Sequence, residues 1–323
     1  MALGRTELAV TPIGLGLAAL GRPAYINLGR EADLGARRSV DDLRLRTHAV
    51  LDAAYDAGLR YVDVARSYGL AEAFLASWLE ERGLPPGEVV VGSKWGYTYT
   101  AGWRLDAPEN EVKDHSRAAF RRQYAESREI LGASLRLYQV HSATLESGVL
   151  DDLELLSELA QLRSDGLAVG FTASGPRQPE VIRRAIALEV EGVKPFDTVQ
   201  ATWNLLEPSA GPALAEAHDA GFGVIVKEAL ANGRLTEQAG GTPTGLRELA
   251  GRTGASLDAV ALAAALANPW VDIVLSGAVT VEQLESNLAA MNTPLTPADL
   301  QPLLSFAEPA DKYWEERKRL PWS

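Results

Sequence analysis

Eight short apolar runs recur along the chain, each followed by a stretch with helical spacing and joined to it by only a few residues. This alternation restricts the fold more than any other feature. The runs lie at 10–16, 59–65, 89–95, 135–141, 167–173, 196–203, 222–229 and 271–278, and helical spacing is read at 40–57, 72–82, 111–131, 149–163, 179–188 and 208–220. In the fourth of these helices Leu153, Leu156, Leu159 and Leu162 recur every three residues as one expected face, and Gly166 supplies a stop. A helical pair at 246–249 and 257–266 precedes the eighth run, Val281, Leu284 and Leu288 form a last barrel helix, and 296–316 reads as an extra C-terminal helix broken at Pro309. Short connections between alternating strands and helices require parallel strands, and eight such units close an α/β fold of the (β/α)8 TIM-barrel type.

No shift in composition marks a boundary, so 1–323 reads as one barrel domain. A doubly wound sheet is the competing fold, but its glycine fingerprint is only half present in GLGLAALG, which leads into no convincing helix. The irregular stretches 19–38 and 96–110 are longer than common loops, and long loops on a barrel are where substrate contacts accumulate.

The chain has 323 residues, 46% of them hydrophobic, and a formal net charge of −12, which gives no general attraction to nucleic acid or anionic lipid. It contains no cysteine, so disulfides, thiolate nucleophiles and cysteine-based metal sites are excluded. The N-terminal MALGRTELAVTPIGLG lacks a continuous apolar core, and no stretch of about 20 apolar residues occurs anywhere. The expectation is a cytoplasmic protein acting on a small molecule, with no membrane or nucleic-acid partner and with monomer or homo-oligomer left open.

Four polar residues stand at or just past the ends of consecutive runs: Asp63, Tyr68, Lys94 and His141. The C-terminal rim of a barrel is where its active sites are built. Each residue alone has an ordinary structural reading, as a capping carboxylate, a rim aromatic, a solvated lysine or a loop-bonding histidine. Taken together they pair a carboxylate with a cation, and set a tyrosine and a histidine to polarise and protonate one carbonyl oxygen. On this reading the lysine cation favours phenolate and lowers the tyrosine pKa. Metal binding is not expected, since no further His or Cys cluster accompanies His141.

The blocks YVDVARSYG, VVVGSKWG and LYQVH resemble those that carry the Asp, Tyr, Lys, His tetrad of the aldo-keto reductases, NAD(P)-dependent (β/α)8 barrels, and the resemblance extends through VQATWNLL and GVIVKEALANG to SGAVTVEQLESNLAA. It implies hydride exchange between a nicotinamide and a carbonyl or alcohol carbon, with Asp63, Tyr68, Lys94 and His141 as the catalytic group. It also implies cofactor contacts from Gln200 at the carboxamide, from Asn287 near adenine, and from Thr172, Lys227, Leu230, Gly277, Ala278, Val279 and Gln283. The chain departs from the pattern at Thr172 and Ala173, where many members have Ser and Asn. It departs again at Lys227, in place of a frequently aromatic ring-stacking residue, and at Glu228 and Ala229, in place of Ser-Pro.

No Lys or Arg occurs from 253 through 311, where relatives that prefer NADPH place the cations that a 2′-phosphate requires, so NAD is favoured over NADP. Trp95, Trp103, Arg104 and Trp203 are the expected substrate contacts, with Tyr97, Tyr99, Tyr25, Asn27 and Arg30 as further candidates. Two other functions fit the same residues. One is a noncatalytic cofactor-binding barrel acting as a regulatory subunit, and the other a lyase or isomerase that uses Lys94 as a Schiff base.

Overall fold

The structure is a computed structural model that describes residues 1–29, 33–35, 37–239, 243–293 and 295–322, and the backbone but not the side chain of 297. Eight parallel strands close a barrel: β1 (Ile13–Gly16), β2 (Tyr61–Asp63), β3 (Val90–Trp95), β4 (Leu135–Ala143), β5 (Ala168–Ala173), β6 (Thr198–Thr202), β7 (Gly223–Lys227) and β8 (Ile273–Ser276). They pair in chain order, and β8 returns to β1 with Ile13 opposite Val274.

Around them lie α1 (Val40–Asp56), α2 (Ala71–Glu81), α3 (Arg117–Leu131), α4 (Leu153–Ser164), α5 (Gln178–Ala187), α6 (Gly211–Asp219), α7 (Thr244–Thr253), α8 (Leu257–Leu266) and α9 (Val281–Leu288). The expected C-terminal helix is two helices, α10 (Pro297–Leu303) and α11 (Ala310–Lys318), with the break at Pro309 that proline's fixed φ and missing N–H impose.

Side-chain caps set the helix starts. The side chains of Ser39, Ser116, Asp152, Ser256 and Thr280 each accept a first-turn backbone N–H that would otherwise lack a partner. The cap at Ser116 also corrects the helix expected at 111–131. Its first residues, Glu111–Lys113, form an antiparallel hairpin with Tyr97–Tyr99, and the helix begins only at Arg117. The stripe expected on α4 is rotated as well: Leu155, Leu156, Leu159 and Ala160 are buried, whereas Leu153 is 65% exposed. A strict interval of three falls short of the 3.6-residue turn and walks off the packed face.

Two apolar layers hold the barrel. The larger lies between strands and helices. The smaller fills the barrel below the rim with Leu3, Leu8, Val10, Tyr61, Val90, Leu137, Ile225 and Ile273. The N-terminal segment turns back on itself through an Ala2–Ala9 bridge and seats Leu3 over the Cα of Gly223, where any side chain would collide with it. This packing plugs the bottom of the barrel.

Candidate active site

Asp63 ends β2, and its 2% exposure makes it a buried carboxylate that must have a partner. Lys94 on the neighbouring β3 supplies it, with Nζ donating to Asp63 Oδ1 and also to the Val64 carbonyl at 3.0 Å. Gln200 on β6 donates to the second carboxylate oxygen at 2.8 Å, and the Tyr61 hydroxyl approaches it from below at 3.4 Å. Gly92 makes room for Tyr61, because a Cβ there would lie 2.5 Å from its hydroxyl.

Tyr68 lies in the turn after β2. Two glycines in contact fix that turn: Gly69, at φ +61°, packs on the Gly21 carbonyl, and a Cβ on Gly21 would meet the Tyr68 carbonyl at 2.2 Å. The Tyr68 hydroxyl accepts from Lys94 Nζ at 3.4 Å, and its ring meets His141 edge to face at 5.5 Å. His141 lies on β4; its backbone carbonyl is held by His115 Nε2 at 2.8 Å, and its Nδ1 has no protein partner among the described residues. The four strand-end residues therefore converge on one point.

Burial holds His141 well below its ordinary 6.5, and Lys94, Lys227 and Arg22 add to the effect, so the ring is neutral. Burial also pushes Tyr68 well above 10, with the Asp63 carboxylate next in importance. The expectation that Lys94 lowers the tyrosine is thereby corrected, since the ammonium is compensated by Asp63 at contact distance. Tyr68 is a protonated hydroxyl beside a neutral imidazole, and both can donate to an oxygen that becomes negative.

These residues lie in an elongated cavity of about 890 Å³, within the range of small-molecule and cofactor sites. One end is walled by Tyr25, Asn27, Tyr97 and Trp322, and the other by Asp258, Gln283 and Asn287. Arg22 had no role in the sequence reading. It lies under the aromatic end against the rings of Tyr25, Tyr68 and Trp322, at 4.9–5.2 Å from each centroid, and pairs with Glu111 at 2.9 Å. Trp314 and Arg317 of α11 also line the cavity. Their signal in the sequence was an aromatic and a cation three apart on one helical face.

Of the expected cofactor residues, Gln200, Lys227, Leu230, Gly277, Ala278, Gln283 and Asn287 line the cavity. Thr172 does not; it is buried, and its hydroxyl accepts the Ser142 N–H at 2.6 Å. Val279 does not either, being buried behind Gln283, whose side chain accepts its N–H at 3.0 Å.

None of the four expected substrate contacts reaches the cavity. Trp95 follows Lys94 on a strand, so alternation turns it to the other face, where it packs on His115 and Phe120. Trp203 likewise follows the inward residues of β6 and packs against Trp270. Trp103 is tied to the Arg38 carbonyl at 2.9 Å and packs on Phe74, while Arg104 is exposed and paired with Asp106. Of the further candidates, Tyr25, Asn27 and Tyr97 line the cavity, Tyr99 does not, and Arg30 lies outside the described residues.

Comparison with known proteins agrees with this geometry. The model of the aldo/keto reductase family matches residues 12–308. The oxidoreductase YqkF of Bacillus subtilis is 24% identical over 95% of each chain, and the NADH-specific methylglyoxal reductase of Escherichia coli 25% identical over 96% of this chain and 98% of its own. Among solved structures, the glycerol dehydrogenase of Gluconobacter oxydans superposes with a TM-score of 0.70 at 22% identity, covering 95% of each chain. With its barrel matched from β1 to α10, the chain belongs to the aldo/keto reductase family, oxidoreductases that interconvert carbonyls and alcohols with a nicotinamide cofactor.

Proposed function

We propose that this chain reduces small aldehydes, ketones or open-chain sugars to alcohols at Tyr68, using NADH in preference to NADPH. The observation that carries the reading is the Tyr68 hydroxyl 3.4 Å from the buried Lys94 ammonium and in edge contact with a neutral His141, inside a cavity large enough for both a dinucleotide and a small substrate. A dinucleotide also suits the lining. Gln200, Lys227, Leu230, Gly277, Ala278, Gln283 and Asn287 would hold it, and the unpartnered Nδ1 of His141 is a polar atom in need of a ligand or solvent partner.

The cofactor, when bound, supplies a hydride to the carbonyl carbon. Negative charge then develops on the carbonyl oxygen, and Tyr68 and His141 stabilise it by hydrogen bonding. The high pKa of the Tyr68 hydroxyl keeps the proton in place until an alkoxide, which is more basic still, draws it away. Lys94 and Asp63 fix the hydroxyl and keep a compensated charge beside it. No lysine adduct is involved, because Lys94 already donates to Asp63, Val64 and Tyr68.

The preference for NADH is supported by the far end of the cavity. The lining residues from α8 and α9 are Asp258, Glu282, Gln283, Ser286 and Asn287, two carboxylates and no cation. Asn287 satisfies both neighbours when its oxygen accepts from Ser276 Oγ at 2.8 Å and its nitrogen donates to Asp258 Oδ2 at 2.8 Å. A 2′-phosphate there would face like charge. The E. coli relative is named as NADH-specific, which is in keeping with this choice. The test is oxidation of NADH and NADPH by purified protein with a panel of aldehydes, ketones and sugars. Turnover with NADH and at least one carbonyl is expected, and binding of NADH with no turnover on any of them would overturn the reading.

A further inference from the structure

Among the described residues three ion pairs surround the centre of the cavity, and three of its lining lysines stand outside any ion pair: Lys318 is exposed, Lys113 donates to the Ser142 carbonyl at 2.7 Å, and Lys227 lies at a strand end. Lys94 pairs with Asp63, Arg317 with Glu228 and Arg22 with Glu111. Lys227, the last residue of β7, has no carboxylate within ion-pair distance among the described residues. Its Nζ instead donates to two hydroxyls, Ser174 Oγ at 3.1 Å and Thr202 Oγ1 at 3.0 Å, and lies 5.9 Å from the centre of the Trp314 ring. Hydroxyls and an aromatic face solvate an ammonium without neutralising it. The arrangement is built: Ser174 is held in turn by Ser142 at 3.2 Å, and Glu228, which accepts the Thr202 hydroxyl at 3.3 Å and is the nearest opposing charge to Lys227, makes its own ion pair with Arg317, whose Nε donates to it at 2.9 Å and 3.1 Å. The field of Lys227 reaches the reaction centre, since it is among the charges that hold His141 neutral.

Resting on the cofactor reading above, we propose that Lys227 makes the cavity distinguish the two oxidation states of the nicotinamide. The neutral ring of NADH would be held and the cationic ring of NAD⁺ repelled, which biases the chain toward carbonyl reduction. The two cofactors differ by one positive charge on the ring. A like charge in a largely buried site is therefore worth about tenfold in their relative affinities. An aromatic residue at the same place would stack on both rings and discriminate far less.

The test is the ratio of dissociation constants, NAD⁺ over NADH, read from quenching of Trp314 and Trp322, which line the cavity. Lys227→Met should lower that ratio by about tenfold, while Lys227→Arg, which keeps the charge, should preserve it. A measurement on the unaltered protein covers the case in which Lys227→Met does not fold. Burial lowers the Lys227 pKa to about 8, so its charge is present at pH 7 and lost by pH 9.5, and the ratio should fall over that interval.

The titratable and charged groups facing Lys227 are Asp63, Lys94 and His141 from β2, β3 and β4, with Glu228 beside it and Arg317 from α11. Glu228, held near 2, and Arg317 keep their charges throughout. Lys227→Arg isolates the remaining contribution, because its ratio should stay flat to pH 9.5. A ratio within twofold of the unaltered protein's in Lys227→Met, or the same pH step in Lys227→Arg, overturns the proposal alone. Failure of the unaltered protein to bind either cofactor overturns both it and the cofactor reading.

Discussion

The two walls of the cavity differ in how their charge is arranged. On the wall from β2 to β4, Asp63 and Lys94 are buried in contact, and Tyr68 and His141 meet edge to face beside them. On the wall from β6 to α11, Lys227 donates to the Thr202 hydroxyl, and Arg317 reaches in from a C-terminal helix to pair with Glu228. The first wall can hold a hydroxyl at a fixed point because every charge on it is compensated. The second leaves a cation beside the reaction centre. The contrast teaches where to look for what is particular to this chain: the carboxylate–lysine pair with its tyrosine and histidine stands on the first wall, and the lysine held by hydroxyls on the second.

The largest expected effect breaks the first wall. Lys94→Met leaves the buried Asp63 carboxyl without its cation, which should destabilise the protein by about 3–5 kcal/mol. Urea unfolding of Lys94→Met and of the double variant Lys94→Met with Asp63→Asn makes the check. The double variant should recover a large part of the loss, and no recovery would mean that the pair is not what fixes this wall.

A smaller effect comes from the support behind His141. Burial lowers the His115 pKa from 6.5 to about 4 while its Nε2 binds the His141 carbonyl. Below pH 6.5 the unfolded chain takes up a proton that the folded chain refuses until about pH 4. Stability should therefore fall across that interval, by about 3 kcal/mol, and change no further from this group below it. Denaturation midpoints at pH 7, 5.5 and 4 for the unaltered protein and His115→Gln measure the difference. An equal slope in both would remove His115 from the account.

The smallest effect sharpens the second wall. Arginine at Val279 would be a buried cation, because Val279 is closed off behind Gln283. Glu282 lines the cavity and is exposed, so Glu282→Arg both removes a carboxylate and adds a guanidinium. A shift of about tenfold toward NADPH is expected, read as the ratio of dissociation constants for the two reduced cofactors. No shift would place the adenosine end of the cofactor elsewhere.

The barrel and its four strand-end residues were legible in the sequence because both depend on local order: period, capping and the last residue of a strand. Two further principles were needed for the rest. Alternation along β3 would have assigned Trp95 to the outer face once Lys94 was assigned to the inner one, and the same holds for Trp203 after Thr202. Of the aromatic loop 96–110, Tyr97 lines the cavity as expected, whereas Trp103 bonds the Arg38 carbonyl and packs on Phe74 away from it. Arg22, Trp314 and Arg317 reach the cavity from opposite ends of the chain. No local pattern encodes such a meeting, which arises only when the barrel closes and brings the C-terminal tail over the β1 loop through the Ile26–Trp322 bridge.

The central claim is that Tyr68 delivers the proton while the cofactor is held by other residues. The most direct test compares the unaltered protein with Tyr68→Phe, measuring NADH affinity by tryptophan quenching and turnover on the best carbonyl substrate in the same preparation. The account predicts NADH binding within about threefold and turnover reduced by at least about a hundredfold, because one hydroxyl is lost from an otherwise unchanged cavity. Turnover near that of the unaltered protein, with NADH binding intact, would contradict it.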